Sequence, residues 1–236
     1  MPFIIMEAAR IFNFAAGPST LPIEVIKKAH EQFVNYEGTG MNVMEMSHRS
    51  KEYVKIWNNI RDKIRTMLKV PKDYHIYLLQ GGGTLQFSAA PLHILAGKDK
   101  ANYLVTGAWS KKGIEEAAKY CTPVKVWKDY KGPGYTTVPD KSTWNVDKSG
   151  AYFYYCMNET IDGVEIKDFP YEMAEGMPLV CDMSSNFMSM PIQVEKYGII
   201  FAGAQKNLGP AGCTVAIIRD DLIALGKKSK FNPLDD

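Results

Sequence analysis

Short runs of apolar, β-branched and aromatic residues recur along this chain with almost no polar alternation. They lie at His75–Leu79, Tyr103–Val105, Val124–Trp127, Ala151–Cys156, Leu179–Asp182, Tyr197–Gly203 and Thr214–Ile218. A strand with one wet face alternates polar and apolar side chains, so strands written this way are buried on both faces. Stretches of helical period stand between several of them. Tyr53, Ile56, Trp57, Ile60, Ile64 and Leu68 share one helix face; Leu85–Leu95 reads as a helix interrupted by Pro91, and Lys111–Tyr120 as another. Strands alternating with helices imply an α/β fold with a mainly parallel sheet. Ligands of such sheets sit beyond the carboxyl ends of the strands. Gly83, Thr84, Trp109, Thr160, Asp182 and Lys206 all fall at or just after the carboxyl end of a predicted strand.

Elsewhere the chain offers mostly punctuation. Ser19 or Thr20 is placed to cap a first helix with Pro22 in its first turn. Its apolar positions Ile23, Ile26, Ala29, Phe33 and Val34 run up to the glycines at 38 and 40. Ser50 is placed to cap the second helix and Pro71 to end it. Residues 132–149 read as a turn-rich surface excursion. With 236 residues the chain can build one large core or one and a half domains. The net charge of +2 and the dispersed basic residues argue against nucleic acid or an anionic membrane as partner. Cys121, Cys156, Cys181 and Cys213 have neither zinc spacing nor a disulfide pattern, and read as reduced thiols. No apolar run is long enough to span a bilayer. Met1–Met6 is short and lacks the basic leader of a secretory signal. A cytoplasmic, enzyme-like domain is the expectation.

The chemistry centres on Lys206, which follows the apolar run Tyr197–Gly203 on a turn of small residues. A lysine at the mouth of a sheet is partly desolvated, which lowers its pKa and frees a neutral amine to attack a carbonyl. Pyridoxal phosphate, held as a Schiff base, needs such a lysine. It also needs a phosphate cradle, an acid at its ring nitrogen and a surface for its ring. Gly81-Gly82-Gly83-Thr84, between a strand and a helix, offers backbone N–H groups and a hydroxyl at a helix N-terminus. Asp182 suits the ring nitrogen, Trp109 the ring face and Thr160 the phenolic oxygen. His48-Arg49 offers a fork for a carboxylate or phosphate. Each residue taken singly has a plainer reading: a loop lysine, a glycine turn, a turn acid, a packed tryptophan, a solvated basic pair. The joint placement is what argues against the plain readings.

The segments Glu45-Met46-Ser47-His48-Arg49-Ser50, Leu79-Gln80-Gly81-Gly82-Gly83, Val105-Thr106-Gly107-Ala108-Trp109-Ser110, Asn158-Glu159-Thr160, Cys181-Asp182-Met183-Ser184-Ser185-Asn186 and Phe201-Ala202-Gly203-Ala204-Gln205-Lys206-Asn207 closely resemble those of the phosphoserine aminotransferases. These form a class V, fold-type I family of pyridoxal-phosphate enzymes, and the resemblance runs from about Asn13 to about Leu222. It implies a three-layer α/β/α sandwich with a mainly parallel, mixed sheet. Residues 20–236 would be the large cofactor-binding domain, and 1–19 a segment packing on a small C-terminal domain that this chain lacks. It implies that Lys206 holds the cofactor covalently and then shuttles a proton, that Asp182 pairs with the ring nitrogen, that Trp109 stacks and that Thr160 bonds the phenolic oxygen. Gly83, Thr84 and Gln205 would hold the phosphate, and His48 and Arg49 the substrate's distal acid. The implied reaction passes an amino group between glutamate and 3-phosphohydroxypyruvate, giving phosphoserine and 2-oxoglutarate, in a homodimer with sites at the interface.

The chain departs from the family in two places. Thr84 stands where some members carry a basic residue. The chain also stops at Asp236, so the family's arginine for the substrate α-carboxylate and its cross-dimer phosphate contact are missing. Lys227, Lys228 and Lys230 read as solvated rather than as substitutes. Poor cofactor binding and little turnover are expected of this chain. The competing expectations are another class V activity and a non-catalytic, truncated aminotransferase-like subunit. A desulfurase would need a nucleophilic cysteine on a mobile loop, which none of the four cysteines suggests.

Overall fold

The computed structural model describes residues 10–128, 134–227 and 229; Met1–Met6, Gly132, Lys228 and Lys230 lie outside the described residues. In chain order the elements are α1 (Ile23–Glu31), α2 (Lys51–Leu68), β1 (Tyr74–Gln80), α3 (Gly83–Ile94), β2 (Lys100–Leu104), α4 (Ala108–Ala117) and β3 (Thr122–Lys125). They continue with β4 (Phe153–Cys156), β5 (Asn158–Glu159), β6 (Val164–Glu165), β7 (Leu179–Asp182), β8 (Ile199–Gly203), β9 (Cys213–Arg219) and α5 (Asp220–Gly226). A seven-stranded sheet has the order β1-β9-β8-β7-β4-β2-β3, and β5 and β6 form a separate ribbon. β9 is antiparallel to both β1 and β8, while the other neighbours in the large sheet pair parallel. β1 therefore points the same way as β8, β7, β4, β2 and β3. Their carboxyl ends share one edge, and the segments carrying Gly83, Trp109, Thr160, Asp182 and Lys206 leave from it, whereas His48 and Arg49 lie before α2 and follow no strand of the sheet.

Both faces of this sheet are covered, which explains the missing polar alternation. Tyr103, Tyr154, Val180, Phe201 and Ala216 pack with Phe87, Ala90 and Ile94 of α3, Ala117 of α4 and Leu222 of α5. The intervening residues Leu104, Phe153, Tyr155, Cys181, Ile200 and Val215 pack on the opposite face with Ile64 and Leu68 of α2, Phe169 and Phe187. The result is the expected three-layer α/β/α sandwich. No helix among the described residues is long and apolar enough to cross a membrane.

Three local readings need correction. Pro91 does not interrupt α3, which runs unbroken to Ile94 with Pro91 buried inside it. The ring removes one backbone bond, and the packing of the remaining turns tolerates that. Neither Ser19 nor Thr20 caps α1: Pro22 is its N-cap residue and has no side-chain cap bond. The Ser19 hydroxyl donates to the carbonyl of Lys206, and that of Thr20 donates to the carbonyl of Asn13 at 2.8 Å. α1 also ends at Glu31 and buries no residue, leaving Phe33 and Val34 exposed beyond it. Ser50 does cap α2, accepting from the Tyr53 N–H at 3.2 Å, but the helix ends at Leu68 through left-handed Lys69 rather than at Pro71.

Candidate active site

β8 leads through Ala204 and Gln205 to Lys206, which is half-buried. Its ammonium donates to the Thr160 hydroxyl and lies 5.0 Å from the centroid of the Trp109 ring. Burial pulls its pKa below that of an ordinary lysine; Asp182, Cys156 and Glu159 pull the other way. The neutral amine needed for attack on a carbonyl is thus more accessible here than on a solvated loop. The turn is clamped from outside, because the Ser19 N–H donates to the Gln205 carbonyl at 2.9 Å.

Asp182 ends β7 and is 4% exposed. Its Oδ1 accepts from the Ser184 N–H at 2.9 Å and from the Ser184 hydroxyl at 2.6 Å, while Oδ2 takes no hydrogen bond among the described residues. Burial pushes its carboxyl above the usual range, against the bonds from Ser184 and the charge of Lys206. The Ser184 hydroxyl also accepts from the Gly203 N–H at 3.0 Å, joining the end of β7 to the end of β8.

Two helix N-termini open on this edge, and they differ. In α4 the N–H of Ala108 donates to Asp162 Oδ2 at 2.7 Å, that of Trp109 to Glu159 Oε2 at 2.8 Å and that of Ser110 to Glu159 Oε1 at 2.9 Å. Internal carboxylates therefore occupy the anion site that a helix start provides. Glu159 is fully buried, and that burial raises its pKa in spite of the two backbone bonds. The fit is close enough to require glycine at 107, where a Cβ would come within 2.6 Å of Glu159 Oε2. α3, by contrast, starts at Gly82 with no side-chain cap, and the N–H groups of Gly83 and Thr84 meet no acceptor among the described residues. That terminus remains open to an anion.

One pocket is lined by Gly83, Thr84, Trp109, Thr160, Asp182, Gln205 and Lys206, together with Gly82, Phe87, Cys156, Asn158, Ser184 and Ser185. Every predicted cofactor residue is among them. His48 and Arg49 are not; they are exposed on the turn before α2. Among the described lining residues Lys206 is the only Lys, Arg or His. Sequence reading missed Glu159 and Ser184. Ser184 carried a signal, since an Asp followed two residues on by Ser is the pattern of a turn in which the carboxylate accepts the i+2 N–H. No cluster of His, Cys, Asp and Glu among the described residues is arranged to hold a metal.

Residues 11–232 match the family described as Aminotransferase class-V. The chain is 52% identical over 223 residues to phosphoserine aminotransferase of Drosophila melanogaster, a match covering 94% of this chain and 60% of that protein. Against the probable phosphoserine aminotransferase of Caenorhabditis elegans it is 46% identical, covering 95% of this chain and 59% of the other. Among solved structures, the PLP-bound phosphoserine aminotransferase of Trichomonas vaginalis superposes with a TM-score of 0.87 at 40% identity, over 96% of this chain and 62% of that one. The chain thus spans about 60% of the length of these relatives.

Proposed function

The chain belongs to the class-V aminotransferases, and from that premise we propose that it carries the pyridoxal 5'-phosphate site of an enzyme of serine biosynthesis. The reaction is amino transfer between L-glutamate and 3-phosphohydroxypyruvate, giving O-phospho-L-serine and 2-oxoglutarate. The observation that carries this reading is the convergence of Lys206, Asp182, Trp109, Thr160 and the uncapped start of α3 on one pocket.

The donor set fits the cofactor. The N–H groups of Gly83 and Thr84, with the Thr84 hydroxyl and Gln205, suit a phosphate dianion at a helix N-terminus. Asp182 has an oxygen without a donor for a protonated ring nitrogen, and the Thr160 hydroxyl can turn from Lys206 to a phenolic oxygen. When bound, the cofactor supplies an electron-accepting ring that acidifies the substrate's Cα–H. Asp182 holds a negative charge in a dry setting, where it acts more strongly than in water. Trp109 presents a rigid aromatic face, its backbone pinned by Glu159, and keeps water from one side of the site. Lys206 Nζ, with its pKa lowered by burial, accepts the α-proton and returns it.

Both substrates carry two acid groups, yet Lys206 is the only Lys, Arg or His among the described lining residues. His48 and Arg49 are proposed to close on the distal acid from outside the pocket, as a fork that takes phosphate or carboxylate alike. Turnover by the chain as given is proposed to be weak for the same reason. A homodimer is supported by the uncovered apolar side chains of α2, where Ile60 and Met67 are 39% and 67% exposed. A cytoplasmic location completes the reading, and residues 20–236 are taken as the large domain, with 1–19 as the segment serving the small one.

The test is titration of the purified chain with pyridoxal phosphate, followed by borohydride reduction and mass mapping, beside Lys206→Ala. A phosphopyridoxyl group on Lys206 in the wild type alone supports the reading. Reduction elsewhere, or equally in the variant, would overturn it. In a separate, unreduced sample, added phosphoserine should bleach the visible band. That Lys206 is the only Lys, Arg or His among the described lining residues also favours a second reading, a non-catalytic truncated subunit, which would pair with a complete aminotransferase chain without holding the cofactor on Lys206.

A further inference from the structure

The Ser184 hydroxyl touches three parts of the pocket at once. It donates to Asp182 Oδ1 at 2.6 Å and accepts from the Gly203 N–H at 3.0 Å. It also lies where a Cβ at Gly83 would come to 2.9 Å, so only glycine at the start of α3 leaves it room. With the Ser184 N–H on the same oxygen at 2.9 Å, Oδ1 is engaged twice and Oδ2 not at all among the described residues. A carboxylate held this way cannot rotate about χ2 without losing two donors.

Resting on the function proposed above, we propose that Ser184 is the positioning residue of the cofactor site. It fixes Asp182 through Oδ1, reserves Oδ2 for the ring nitrogen, and ties that anchor to the phosphate-binding turn of α3 and to the strand that carries Lys206. The two ends of the cofactor, ring nitrogen and phosphate, are then gripped by groups that share one hydroxyl. Their spacing is set before the ligand arrives.

The charged and titratable groups around Asp182 are Lys206 from the turn after β8, Tyr154 and Cys156 of β4, Glu159 of β5 and the neighbouring Cys181 of β7. Phe87 and the glycines on the α3 side carry no charge. Lys206 and the Ser184 bonds favour the ionised carboxyl, and burial opposes it. Removing the hydroxyl takes away one of the favourable contributions, so Asp182 should hold its proton to higher pH.

The experiment compares wild type, Ser184→Ala and Gly83→Ala by carbon-13 titration of Asp182 in the cofactor-free protein. Pyridoxal phosphate affinity is then measured against pH. In Ser184→Ala the Asp182 titration and the acid limb of cofactor binding should both move up by about one pH unit, a tenfold loss of affinity on that limb. Gly83→Ala, whose methyl presses on the same hydroxyl, should move the Asp182 titration the same way. A residue that is merely structural would lower the melting temperature and leave that titration in place; an unmoved Asp182 in folded Ser184→Ala overturns the inference. A wild type that takes up no pyridoxal phosphate overturns the functional reading, and this inference with it.

Discussion

Replacing Glu159 by glutamine tests whether a buried charge holds the first turn of α4. The two carboxylate oxygens accept from the Trp109 and Ser110 N–H groups at 2.8 and 2.9 Å. An amide has one acceptor oxygen, so one of these N–H groups loses its partner in a site that water does not reach. That costs about 1–3 kcal/mol, roughly 2–12 °C in melting temperature for a chain of this size. The cost should depend on pH. Burial raises the Glu159 carboxyl above its ordinary value of 4.5, with the charge of Asp182 adding to the rise and the bonds from Ser110 and Trp109 opposing it. An acid whose folded pKa is raised contributes its full stability below the unfolded value and loses it as pH climbs through the folded value. Wild type therefore carries a loss above pH 4.5 that the glutamine chain does not. Asp182, also raised by burial, is freed of the like charge of Glu159 in the glutamine chain, so its own loss with rising pH is smaller there and narrows the gap in the same direction. Melting temperatures followed by circular dichroism from about pH 5 to about pH 8 should show the variant less stable at the acid end and the gap narrowing as pH rises. A gap that widens with pH would refute the reasoning, because it would mean that the bonds to the charged form outweigh its desolvation.

Gly107→Ala should act through the same carboxylate, forcing its methyl against Glu159 and destabilising the fold by about 1–3 kcal/mol, read by chemical denaturation. Lys206, with its pKa lowered by burial, should react with an amine-directed acylating reagent at lower pH than an ordinary lysine; peptide mapping across a pH series checks this, and a Lys206 labelled only at the alkaline end of the series would contradict it. Arg49→Ala should raise the KM for phosphoserine by about tenfold or more while leaving pyridoxal phosphate affinity unchanged, since Arg49 lies outside the pocket; an equal loss of both would place it elsewhere. Phe201→Ala, emptying a side chain packed edge-on to Phe87 at 6.1 Å between centroids, should lower stability by about 3–5 kcal/mol in urea unfolding.

The sheet and the cofactor pocket were legible in the sequence for one physical reason. A strand buried on both faces must be apolar throughout, and the residue that breaks the run marks its end. Asp182 and Lys206 stand where apolar runs stop, so the pattern that located the strands also located two residues of the pocket. Features made by side chains bonding at long range left no such pattern. Ser19 has the composition of a helix cap, yet its hydroxyl donates to the Lys206 carbonyl far along the chain. Glu159 lies in a two-residue strand, and nothing in Asn158-Glu159-Thr160 says that its carboxylate crosses to α4. Pro91 reads as a break because local propensity counts the lost N–H and cannot count the burial that offsets it.

The two helix starts bear on where the proposed site would hold a phosphate. Both are positively polarised and both face the pocket, so either could attract an anion. Glu159 and Asp162 neutralise α4 from within the chain, taking up the N–H groups of Ala108 and Trp109 that would otherwise be open to an anion. α3 keeps its N–H groups free because its cap position is glycine, with no side chain to turn back on them. A single cap-forming residue at Gly82, such as Gly82→Ser, would place a hydroxyl against these N–H groups. Such a chain should be at least as stable and bind pyridoxal phosphate less tightly, with the loss restored for pyridoxal lacking its phosphate. Equal weakening for both ligands would show that the open helix start is not what holds the phosphate.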